Sequence, residues 1–165
     1  MKLSSFTAVT EFIAAVLVVV SLYFIYQELE QNTKSTQDAS YQQFLSNLTG
    51  LDLAEAADPE LARLSFLGES EPERLSQEEW MRFSKIAAPR IAQLEYAYLS
   101  RINGTMSELH WNAVEPHMQY LLCLPGYRKF LDSGMDQIYA GTFLEYLNKE
   151  IFTKCSKLHE SLGEK

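Results

Sequence analysis

Clusters of basic residues, metal-spaced cysteines and phosphate-binding glycines are all missing from this chain, and each shortage removes a class of function. No run of Lys or Arg interrupts a formal net charge of −8, and the pI is near 4.9. Such an acidic surface repels phosphate backbones, so nucleic acid is not an expected partner. The two cysteines, Cys123 and Cys155, are too few for a disulfide framework, and their spacing matches no zinc motif. Buried free thiols are the expectation, because Cys is among the most buried residue types. Neither a G-x-x-x-x-G-K-[ST] phosphate loop nor a G-x-G-x-x-G fingerprint occurs, and no G-x-S-x-G elbow is present. No segment alternates apolar and polar residues between turn signals, so strands are not expected.

What the chain does have is one long apolar run. Phe12 to Tyr26 is interrupted only by Ser21, and reading back to Phe6 gives 21 residues. As a helix this stretch is about 31 Å long, enough for a hydrocarbon core of roughly 30 Å. Glu11 must then lie near the interface, where a helix N-terminus favours a carboxylate. Tyr23 and Tyr26 fall where an aromatic belt would sit, and the run shows no polar face. A cleaved signal peptide would need small residues after its core, whereas Ser21-Leu22-Tyr23-Phe24 offers a poor site. A buried core helix would need the rest of the chain to wrap it. Phe6–Tyr26 is therefore read as an uncleaved anchor in a lipid bilayer. Counting Lys2 and the α-amino group before the span against Lys34 after it gives no orientation.

Beyond the span, residues 27–43 are polar and helix-compatible, and Phe44, Leu45, Leu48 and Leu51 then build an apolar face. Asp58-Pro59 marks a restart, with Pro59 at a favourable first position. Leu61, Leu64 and Leu67 end at Gly68, a C-cap candidate, and 68–72 reads as a loop. Ser76 and Glu79 make a capping box ahead of Trp80, Phe83, Ala87, Ile91, Leu94 and Tyr98. Pro89 predicts a kink or re-capping, and Asn103-Gly104 predicts the end. A helix from about Ser107 follows, bent at Pro116 and closing before Pro125-Gly126. Tyr127–Leu131 and Phe143–Ile151 are further helical pieces, the last capped by Thr142.

The fold expected is all-α: a transmembrane helix continuing into a stalk, then a small helical bundle. The divisions are an N-terminal tail and anchor (1–26), a helical stalk (27–43), an all-α soluble domain (44–157) and a C-terminal tail (158–165).

Candidate chemistry is thin. His110 and His117 share a helix face but are seven residues apart, about 10.5 Å along the axis, whereas chelation wants neighbours at three or four. No Glu-x-x-His pair of the di-iron kind is present either. Glu95 flanks the apolar stripe and is read as salt-bridged to Arg90 or Arg101. Trp80 and Trp111 are read as core residues closing opposite ends of a helical hairpin. No catalytic, cofactor-binding or metal-ligating residue is assigned, and no cofactor is expected.

Three stretches carry a resemblance: Glu11-Phe12-Ile13-Ala14-Ala15, Val18-Val19-Val20-Ser21-Leu22 and Gln31-Asn32-Thr33-Lys34. With Asp58–Leu64, Leu94-Glu95-Tyr96, Trp111 and Pro125-Gly126, they make the chain similar to a group of bacterial single-pass membrane proteins. Members open with an E-x-x-x-A-x-x-V-V-V-S-L-x-Y helix and leave the membrane through a Q-N-T segment. The group has no assigned activity, so the resemblance supplies no active site. It implies a bacterial inner-membrane protein with a cytoplasmic domain, held there by arginines beside the Q-N-T segment. Here Glu28, Glu30 and a single Lys34 stand in that region. The function expected is a protein-interaction or scaffold module with a protein partner or self-association. The alternative is a small-molecule or enzymatic domain with a pocket near Glu95 and His110.

Overall fold

A computed structural model describes residues 3–155. The expected tail at 158–165 and the last two residues of the expected domain lie outside them. Every regular element among the described residues is helical.

Helix α1 is a single rod, Leu3–Ala57, of 55 residues. At about 1.5 Å per residue it is roughly 80 Å long. The described part of its first half is bare: Phe12, Leu17, Val19, Leu22 and Phe24 are each at least 60% exposed. Among the described residues one helix is long and apolar enough to cross a membrane, and none of its apolar window is buried in the protein. The helix does not break where the sequence turns polar at Gln27. Glu, Gln, Lys and Leu are good helix formers, and no Pro occurs before position 59.

Among the described residues, contact with the domain begins at Gln37, whose Nε2 donates to the Gly104 carbonyl at 3.0 Å. Tyr41 then stacks on His110, with ring centroids 4.2 Å apart. Phe44 is buried, Leu48 packs against the core, and Asn47 Nδ2 donates to Gln93 Oε1 at 3.2 Å. The stalk thus runs into the domain as a structural member of it.

Asp58 caps α2 (Pro59–Ser70), accepting from the Glu60 and Leu61 N–H groups. Gly68 does not cap this helix. It is buried within it, and a Cβ there would lie 2.1 Å from the Phe83 ring. The helix runs on to Ser70, and Pro72–Arg74 forms a 3₁₀ turn, so 68–72 is not the loop its composition suggested.

The capping box at Ser76 and Glu79 starts α3 (Gln77–Ile102). Arg63 of α2 also bonds Glu79, at 2.7 Å. Arg63 first, and then Ser76, hold this carboxyl down to about 2. Pro89 lies inside α3 without ending it. Phe83, Ala87, Ile91, Leu94 and Ala97 form the buried stripe. Asn103 closes the helix, and Gly104 takes a left-handed φ of 74°, which lets the Thr105 and Met106 N–H groups return to the Ser100 carbonyl.

Ser107 caps α4 (Glu108–Leu122), which contains Pro116, and Pro125 opens α5 (Pro125–Asp132). The last piece departs from expectation. Helix α6 is short, Gly141–Tyr146, and starts at Ala140 without a side-chain cap, so Thr142 lies inside it. The chain then widens to a π turn at Leu147–Ile151 and tightens to a 3₁₀ turn at Phe152–Lys154. Leu147 and Ile151 are buried by this route.

The cysteines also depart from expectation. Cys123 and Cys155 are not free thiols but a disulfide, with Cα atoms 5.3 Å apart. It ties the end of α4 to the end of the described chain.

Two glycines give a contrasting stability prediction. Gly50 lies exposed in α1, and a Cβ there would meet nothing within 4 Å, whereas a Cβ on Gly126 would lie 1.8 Å from the Gly68 carbonyl oxygen. Gly50→Ala should raise stability by about 0.5–1 kcal/mol, the helix-propensity gain. Gly126→Ala must push α5 off the α2 backbone and should destabilise severely. Urea midpoints of the full chain in mild detergent check both, and a Gly126→Ala midpoint equal to wild type would refute this contact.

Candidate functional site

The densest polar cluster outside the surface is built on Arg90. This residue sits three after Ala87 and four before Leu94, so helical geometry places it on the apolar face of α3. Its side chain is 6% exposed. Nη2 donates to Glu55 Oε1 of α1 at 2.6 Å and lies 3.5 Å from Asp52. Nη1 donates to Glu69 of α2 at 2.5 Å, to the Tyr127 hydroxyl of α5 at 3.1 Å and to Ser65 at 3.4 Å. Ser65 donates in turn to Glu55, and Tyr127 donates to Glu69. One guanidinium therefore joins α1, α2 and α5 to α3. Glu55, Ser65, Glu69 and Tyr127 come from four separate turns of sequence.

The electrostatics of this cluster are uneven. Burial works against the Arg90 charge, but Tyr127 and Glu55 outweigh it and leave the pKa raised. Glu69 moves the other way for a carboxylate paired with arginine. Burial pushes its pKa up, Arg90 opposes this, and Glu55 and Asp52 add repulsion. The shifts of the two partners thus disagree about the pair. The reason is stoichiometry: one cation is shared among three carboxylates. Arg90 stays charged, and Glu69 is a carboxylate that gains a proton more readily than usual. Burial first, and then Glu69, also hold the Tyr127 phenol protonated.

Chemically, this arrangement has little to offer a ligand. Both terminal guanidinium nitrogens are occupied by protein acceptors, while Nε is buried without a hydrogen-bond partner. The cluster works as a clamp between helices.

His117 of α4 lies near the same cluster. Burial lowers its pKa, and Asp52 opposes the shift while Arg90 reinforces it. Its Nε2 is buried without a hydrogen-bond partner. A depressed folded pKa contributes stability above the unfolded value of 6.5, and that stability is lost as pH falls through the folded value. Glu69, raised above 4.5, has the opposite sign: its contribution is full below 4.5 and is lost as pH rises through the folded value. The histidine therefore governs the first loss on acidification. Between about pH 7.5 and 5.5 the urea midpoint should fall, and His117→Gln should flatten that fall. An unchanged slope in the variant would rule out His117 as its source.

The other sequence candidates are placed separately. Glu95 bonds neither Arg90 nor Arg101. Its carboxylate accepts from the Ala140 N–H at the entry to α6, while Arg101 pairs with Glu108. His110 stacks on Tyr41, with Nε2 3.8 Å from Asp38, and so sits at the junction of stalk and domain. Trp111 is buried among Tyr98 and Tyr146, with the Arg101 guanidinium 4.9 Å above its ring. Trp80 is only half-buried, against Phe83, and Lys129 covers its ring at 4.8 Å. Among the described residues no three His, Cys, Asp or Glu side chains converge as metal ligands.

A half-open hollow of about 190 Å³ lies between α5 and the C-terminal turns, lined by Arg128, Leu131, Asp132, Leu144, Leu147 and Phe152 among others. Neither Glu95 nor His110 lines it. Larger concavities follow the bare face of α1 around Ile25–Ser35 and are open surface beside one helix.

Sequence reasoning named Arg90 only as a partner for Glu95. Its position within the apolar stripe was the available signal that it is buried and must be paired. No known protein family, curated protein or solved structure matches the chain. The resemblance read from the V-V-V-S-L and Q-N-T stretches gains no support from those comparisons.

Proposed function

We propose that this chain is a single-pass membrane protein of the bacterial inner membrane whose helical domain works as an interaction or scaffold module. The observation that carries the reading is the bare apolar surface of α1 from Val9 to Tyr26, exposed on every face. A girdle rich in Val, Leu, Ile and Phe is costly in water, and lipid covers it at about 25 cal/mol per Å² of apolar area. The same helix continues to Ala57 and is clamped by Arg90, so the domain is held at a fixed distance from the bilayer. A rigid spacer suits docking to a protein partner or a second copy. The polar clusters support this too, since the Arg90 Nη groups, Glu95 and Glu115 each bond within the fold.

Membranes from cells making the full chain provide the test. The protein should remain in the pellet through an alkaline carbonate wash, and crosslinking in those membranes should join it to a discrete partner or to itself. Release by the wash would refute the anchor. A chain that stays monomeric and uncrosslinked would refute the module.

A further inference from the structure

Cys123 and Cys155 are the only cysteines in the chain, and both are used in one bond. Cys123 is buried at the end of α4, just before the Pro125-Gly126 turn. Cys155 follows the π and 3₁₀ turns of the C-terminal segment. Those turns depart from regular α-helix, and the bond fastens their far end to the core. The bond spans 32 residues. In compartments rich in reduced glutathione or thioredoxin such pairs are held as thiols, and persistent structural disulfides belong to oxidising compartments.

The charges after the span do not oppose an outward domain. Between Tyr26 and Arg63 the sole Lys or Arg is Lys34, and it is paired with Glu30 at 2.8 Å. Retention on the cytosolic side depends on Lys and Arg within about 15–20 residues of the span, and here one paired lysine stands there.

We infer that the domain faces the oxidising side of the membrane, away from the cytosol, and that a dithiol–disulfide carrier protein closes Cys123–Cys155 there. The inference rests on the membrane-anchor reading. In the closing reaction the Cys155 thiolate attacks the carrier disulfide, forming a mixed disulfide and releasing one carrier thiolate. The Cys123 thiolate then attacks the Cys155 sulfur, breaking the mixed bond and releasing the second carrier thiolate. The two cysteines lose two protons and two electrons, and the carrier leaves as a dithiol.

The full chain, produced in a bacterium, is tested in two ways. Cells are acid-quenched, denatured and treated with a maleimide polymer. The chain should gain no adduct before reduction and two after it. In intact spheroplasts, external protease should digest the domain. Free thiols without reductant, or a domain cut only after lysis, would overturn the inference. A carbonate wash of the same membranes reads the anchor separately. Loss of the chain to the supernatant refutes the anchor, while the thiol state still reports the compartment. Cys155→Ser should leave Cys123 reactive in denaturant without reductant and make the C-terminal segment at least tenfold more sensitive to protease. Unchanged sensitivity would show that the bond does not hold that segment.

Discussion

Arg90→Ala should cost the full chain about 3–5 kcal/mol, the range for removing one partner of a buried ionic cluster. The variant loses five donated contacts and leaves Glu55 and Glu69, 19% and 23% exposed, facing each other without a cation. It also removes one of the links that fix α1, α2 and α5 to α3. Such a loss is a large share of the roughly 5–15 kcal/mol that holds a domain together. The deficit should depend on pH with a definite sign. Without Arg90, the folded-state pKa of Glu69 rises further, and the resulting penalty applies at neutral pH and fades as the carboxyl takes up its proton. The difference between wild type and variant should therefore shrink near pH 4.5 relative to pH 7. Arg90→Lys keeps the charge but lacks the fork that reaches Glu55 and Glu69 together, and should recover only part of the loss. Urea unfolding in mild detergent, followed by far-UV circular dichroism at both pH values, checks this. A deficit equal at the two pH values would show that the loss is packing rather than charge.

Trp111→Ala should be comparably damaging, at about 3–5 kcal/mol for truncating a buried tryptophan. Trp111 is 1% exposed and holds together rings from three helices: Tyr98 of α3, Tyr146 of α6 and its own indole on α4. Tyr98 and Tyr146 also stack on each other at 4.7 Å, so the cavity would open beside a pair whose own geometry depends on the indole. Trp111→Phe should be much milder. It preserves an aromatic wall and removes an indole Nε1 that is buried without a hydrogen-bond partner. The same urea titration reads both variants, and a Trp111→Ala midpoint equal to wild type would refute its place in the core. Trp80→Ala should cost less than Trp111→Ala, because its ring is half-buried and closes the core only from the edge.

Some of this protein was legible from its residues alone. The apolar helix, its unbroken continuation past Gln27, the capping box at Ser76 and the helix starts at Pro59 and near Ser107 all came from the sequence. Each depends on interactions spanning a few residues or on the composition of one continuous segment. A serine three residues before a glutamate bonds the same backbone in any helical protein. The stripe from Phe83 to Leu94 is similarly local, because 3.6 residues per turn fixes which side chains share a face. The tertiary structure decided what depends on distant segments meeting. Gly68 resembles a C-cap until Phe83 and Gly126 are placed against it, where the space beside its backbone excludes any larger side chain. Arg90 could be read as one of several cations beside Glu95, yet its partners are Glu55 and Glu69, found only once α1 and α2 lie across α3. The C-terminal helix changes pitch after Tyr146, where a π turn over Leu147–Ile151 gives way to a 3₁₀ turn at Phe152–Lys154. The two cysteines, 32 residues apart, give no pairing signal in sequence. Only a fold that brings their Cα atoms within about 4.4–6.8 Å can join them.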